Sequence, residues 1–96
     1  MEKTTIDQQI EQLKKITRED GIEKYIDAQL RLVTIYYLGK NDIEQAEICL
    51  LKIDKQANPK AYADAQFFLG TIYEYDKEDI KQAELYYKKV EREDNA

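Results

Sequence analysis

The stretch Asp27-Ala28-Gln29-Leu30-Arg31-Leu32-Val33-Thr34-Ile35-Tyr36 returns 37 residues later as Asp64-Ala65-Gln66-Phe67-Phe68-Leu69-Gly70-Thr71-Ile72-Tyr73. The same shift aligns all of 25–59 with 62–96 and makes 16 of 35 pairs identical, where chance gives about two at average residue usage. The likeness continues past the quoted stretch, through Asp42-Ile43 and Asp79-Ile80, Gln45-Ala46-Glu47 and Gln82-Ala83-Glu84, and Lys52 and Lys89. A period of this length marks a chain built from copies of one supersecondary unit.

Each copy reads as two helices. Ala28, Leu32, Ile35 and Tyr36 recur at helical spacing over 22–38, as do Ala65, Leu69, Ile72 and Tyr73 over 60–75, the pattern of a helix with one buried stripe. A second helix follows in each copy, over 43–55 with Ile43, Ala46, Leu50 and Ile53 as its stripe, and over 80–92 with Ile80, Ala83, Tyr87 and Val90. Asp42 and Asp79 are the expected N-caps of these second helices. Asn58-Pro59 places a cap before a first-turn proline, and Asp20 with Glu23 resembles a capping box. Pushed one period back, Ile6, Leu13 and Ile16 match Ile43, Leu50 and Ile53, so 5–18 is expected to form a lone capping helix started by Thr5. The reading is one domain over 1–96: the capping helix 5–18, a first repeat over 22–57 and a second over 59–93. That makes an all-α fold of about five antiparallel helices. Gly39 is expected to end its helix in a left-handed turn. Gly70 lies inside a helix, where glycine costs about 1 kcal/mol relative to alanine, so it should admit a close neighbour.

Composition narrows the function. The 96 residues contain no histidine, serine or tryptophan and one cysteine, which removes the serine nucleophile, the histidine base and the histidine metal ligand. Cys49 is expected to be a helix-packing residue. Asp76, Glu78 and Asp79 lack the ligand alternation and central glycine of a calcium loop, so no metal, cofactor or catalytic residue is expected and the chain reads as a non-enzyme. A net charge of −5 disfavours nucleic acid. The densest basic group, Lys88-Lys89 with Arg92, is diluted by Glu91, Glu93 and Asp94. No apolar run is of bilayer-spanning length, and the start, Met1-Glu2-Lys3-Thr4-Thr5, does not read as a signal peptide. The expected setting is cytoplasmic, and Lys- and Ile-rich usage fits a bacterium with an A/T-rich genome.

Helix pairs of this period with alternating small and large apolar residues resemble the tetratricopeptide repeat family. Leu69, Gly70, Tyr73, Ala83 and Tyr87 follow the family pattern in the second copy, and Leu32, Tyr36, Ala46, Leu50 and Pro59 in the first. Gln29 and Gln66 stand where the family usually has a large aromatic, Val33 replaces the glycine, and the Tyr-to-Ala spacing is one residue longer than usual. The resemblance implies a right-handed α-α superhelix whose concave face holds a peptide or protein segment. Carried over residue by residue, that face comprises Asp27, Leu30, Thr34 and Tyr37, then Asp64, Phe67, Thr71, Glu74 and Tyr75. Leu30, Phe67, Tyr37 and Tyr75 offer apolar and aromatic anchors within a rim of Asp27, Asp64 and Glu74, which suits a basic partner or an apolar one with basic flanks.

The rival reading is a small acidic inhibitor or immunity-type protein that covers a basic surface on a toxin or enzyme. Two repeats and one helix fall below the usual minimum for such a stack. Leu85, Tyr86, Tyr87 and Val90 make the last helix apolar, so a homodimer through that helix, or a partner covering it, is the expected source of further burial.

Overall fold

The computed structural model describes residues 5–94, with side chains through Val90; Met1–Thr4, in the segment read above for a signal, lie outside the described residues. Among the described residues there are five α-helices and no strand: α1 (Ile6–Lys14), α2 (Ile22–Thr34), α3 (Ile43–Leu51), α4 (Pro59–Thr71) and α5 (Ile80–Asp94). A short 3-10 turn, Arg18–Asp20, precedes α2. The chain divides into two compact units at Cys49 and Leu50, within α3.

In the first unit, α1 packs on α2 and on the turn that ends it. Thr5 starts α1 as expected: its hydroxyl accepts from the Gln8 N–H at 3.1 Å while the Gln8 side chain accepts from the Thr5 N–H at 2.9 Å. The expected cap at Asp20 is different. Its carboxylate accepts from the Thr17 N–H at 2.8 Å and so closes the 3-10 turn, while Gly21, at φ +121°, leads the chain into α2, a backbone angle that favours glycine. Ile10, Ile26, Ala28, Leu32, Val33, Tyr36, Ala46 and Cys49 are buried here. The Lys40 ammonium meets the Asp7 carboxylate at 2.6 Å, tying the end of the α2 turn to the first turn of α1, and Asp7 holds the Lys40 pKa above its usual value.

The second unit is built on α4 against α5. Asn58 caps α4, accepting from the Ala61 N–H at 3.0 Å, and Pro59 occupies the first helical position, where its missing N–H costs nothing. Ala65, Leu69, Ile72, Ala83 and Tyr86 are buried. Complete burial of a side chain such as Leu69 or Ile72 contributes roughly 2 kcal/mol each.

The sequence repeat is reproduced in the backbone. Ile35–Gly39 continue α2 as a π-type turn, and Ile72–Asp76 continue α4 in the same way. The Lys40 N–H donates to the Ile35 carbonyl and the Lys77 N–H to the Ile72 carbonyl, both at 3.0 Å. The Asp42 N–H then donates to the Tyr36 carbonyl and the Asp79 N–H to the Tyr73 carbonyl, both at 2.7 Å. The two aspartates cap the next helices as expected, accepting from the N–H of Gln45 and of Gln82 at 3.1 Å each. A π turn holds one residue more than an α turn, and each begins one residue before the repeated tyrosine, Tyr36 or Tyr73.

This turn corrects the expectation for Gly39. The left-handed residue is Asn41, at φ 53°, with Glu78 at φ 55° in the second copy, whereas Gly39 lies within the π turn and has no positive φ. The left-handed residue thus lies two positions beyond Gly39, and asparagine tolerates that region better than most residues. Helix α3 also ends at Leu51, short of the expected residue 55.

Candidate functional site

The residues carried onto the expected binding face lie on α2, α4 and the π turns that extend them. In the first unit Asp27 and Thr34 are exposed, and Leu30 and Tyr37 are half-buried. The Asp27 carboxylate accepts from Arg31 Nε at 2.8 Å, one helical turn on. Both side chains are well exposed, so this pair contributes little to stability. The Thr34 hydroxyl donates to the Leu30 carbonyl at 3.3 Å. Thr34 also lines a shallow groove of about 420 Å³ with Gln9, Gln12, Leu13, Arg31 and Ile35, between α1 and α2. The contribution of α1 to this groove was not read from the sequence, because Gln9 and Gln12 carry no periodic signal.

In the second unit Asp64, Phe67 and Tyr75 are exposed, and Thr71 and Glu74 are half-buried. The Thr71 hydroxyl donates to the Phe68 carbonyl at 2.7 Å. Asp64 lies 3.9 Å from the Lys60 ammonium, again one helical turn away. Phe67 and Glu74 are brought together by Tyr87 of α5. Its ring packs on Phe67 at 5.5 Å between centroids, tilted 47°, and its hydroxyl donates to Glu74 Oε1 at 2.7 Å. Burial, and then the Glu74 carboxylate, push the Tyr87 pKa up to about 12. The sequence reading placed Tyr87 in the packing stripe. Its hydroxyl joins the candidate face because Gly70 leaves α4 open beneath the ring.

Two further features follow the repeat. Gln29 and Gln66 are both 3% exposed, and neither side-chain oxygen has a hydrogen-bond partner among the described residues. Exposed apolar residues also fall in equivalent places: Leu38 and Tyr75 at the ends of the π turns, 75% and 71% exposed, and Ile48 and Leu85 on α3 and α5. The last helix buries Tyr86 within its own unit, its ring 5.4 Å from that of Tyr73, and the Lys89 ammonium lies 5.2 Å over the Tyr86 ring. Tyr86 is therefore only 9% exposed. Leu85 and Ile80 are the exposed apolar residues of this helix. Arg92, part of the basic group, lies outside the described side chains.

Among the described residues no cluster of three or more acidic or cysteine side chains is arranged to hold a metal ion, and no helix is long and apolar enough to cross a membrane. No family model, no characterised protein and no solved structure matches the chain.

Proposed function

We propose that this chain is a tetratricopeptide-like, non-enzymatic interaction module that holds a protein or peptide segment on the faces of α2 and α4. In this reading its two helical hairpins stack as a right-handed superhelix capped by α1, and the protein works in the cytoplasm. The observation that carries the reading is the duplicated helix-turn-helix: copies 37 residues apart end their first helices with the same π turn, a left-handed residue at the same position and the same aspartate cap. Repeats of one unit present equivalent surfaces at regular intervals, which suits an extended ligand. Support for the choice of face comes from Phe67 and Tyr75, large aromatic side chains that α4 and its turn leave 55% and 71% exposed. Aromatic residues of this kind are the usual anchors of protein interfaces.

The test is capture of a partner from native lysate by the wild type beside a Thr34→Arg/Thr71→Arg variant. Both hydroxyls bond only within their own helices in the described structure, so the variant should keep its helicity. Loss of the partner from a variant with unchanged circular dichroism supports the reading. Retention of the partner moves the site off these helices and favours an inhibitor that binds through another acidic surface.

A further inference from the structure

The second copy carries a group that the first does not. Glu74 accepts a 2.7 Å hydrogen bond from the Tyr87 hydroxyl, and the Tyr87 ring packs 5.5 Å from the exposed Phe67. Tyr75 follows Glu74 in the π turn and is 71% exposed. The hydrogen bond fixes one carboxylate oxygen at the Tyr87 phenol, whose ring packs on Phe67, and aromatic faces and carboxylates attract the same kind of ligand, a cation.

We propose that Phe67, Glu74, Tyr75 and Tyr87 form a cation site that receives a lysine or arginine side chain of a partner protein. The proposal rests on the interaction-module reading and adds the chemistry of one contact to it. At the equivalent positions the first copy has Leu30, Tyr37, Leu38 and Leu50, with no acid among them. A ligand that follows the repeat would therefore present an apolar side chain to the first copy and a cation to the second. Gly70 makes the site possible, because a Cβ there would lie 2.5 Å from the Tyr87 ring and displace it.

The experiment is a titration of the full chain followed by NMR, using butylguanidinium as the cation and butylurea as its uncharged isostere. Butylguanidinium should shift the resonances of Phe67, Tyr75 and Tyr87 saturably and bind about five-fold more tightly than butylurea, the scale of a partly exposed cation–aromatic contact. Glu74→Gln keeps an acceptor for the Tyr87 hydroxyl but removes the charge, and should reduce that preference. Should this variant fail to fold, Phe67→Leu, which copies the first repeat, should reduce it. Equal shifts from the two probes, or shifts spread evenly over the acidic surface, would overturn the site. A wild type that loses its partner in the Thr34→Arg/Thr71→Arg variant yet shows no cation preference overturns the cation site alone. A cation preference with a partner retained by that variant supports this site and overturns the wider reading.

Discussion

Gly70 on α4 lies directly beneath the ring of Tyr87 on α5: a Cβ added to Gly70 would stand 2.5 Å from Tyr87 Cε1 and 2.6 Å from Cδ1. The ring is held on its other sides by Phe67 and by the hydrogen bond to Glu74, so it has little freedom to retreat. Gly70→Ala gains about 1 kcal/mol of helix propensity and incurs about 1–3 kcal/mol of overpacking. The account expects a net loss of stability in thermal denaturation. Gly70→Ala combined with Tyr87→Leu should recover most of it, as the first copy pairs Val33 with Leu50 at these positions. A stable Gly70→Ala single variant would show that the ring moves freely.

The Tyr87 phenol should titrate late, above the usual tyrosine value. Its pKa is pushed from 10.0 to about 12, first by burial and then by the bond to Glu74. Because the folded value lies above the unfolded one, the stability it contributes is fully present below about pH 10 and is lost as the pH rises through about 12. Phenolate absorbance should show a late step that Tyr87→Phe removes. Glu74→Gln should lower that step only in part, since burial remains.

Glu78 occupies the left-handed region at φ 55°, where its counterpart Asn41 sits at φ 53°. Residues with a Cβ are strained there, asparagine and glycine least. Glu78→Asn should raise stability by about 0.5–1 kcal/mol, a rise in Tm of several degrees for a chain of this size. A fall in Tm would mean that the Glu78 carboxylate makes a contact worth more than the backbone strain.

Gln29 and Gln66 each bury a side-chain oxygen that lacks a partner among the described residues. Leaving such a group unsatisfied costs about 1–3 kcal/mol. Methionine has a similar shape without the polar oxygen, so Gln66→Met should stabilise the protein by about 1 kcal/mol in denaturant unfolding. Destabilisation would indicate that the amide is bonded in solution.

The repeat made most of the fold legible, because identical residues at one spacing impose identical local structure. Thr5, Asp42, Asn58 and Asp79 were readable as caps because each stands just before a periodic run, and each accepts the expected backbone bond. The π turns were not readable. Periodicity fixes which face of a helix is buried, whereas a wider last turn leaves the buried stripe before it unchanged. Gly39 therefore looked like the helix end, although the left-handed residue is Asn41. Asp20 misled for a related reason, since a carboxylate three residues after Thr17 serves the shorter turn first. On the candidate face Phe67 and Tyr75 were named through the tetratricopeptide resemblance, and both side chains are exposed. The role of Tyr87 was hidden because one tyrosine can pack with its ring and bind with its hydroxyl.

The most direct test of the interaction face is site-specific photo-crosslinking in the native cell. Benzoylphenylalanine would replace Phe67, 55% exposed on α4, or Leu85, 53% exposed on α5. The account predicts a covalent adduct to a cellular protein from position 67 and none from position 85. An adduct from position 85 alone would contradict it and place the binding surface on the other helix of the pair.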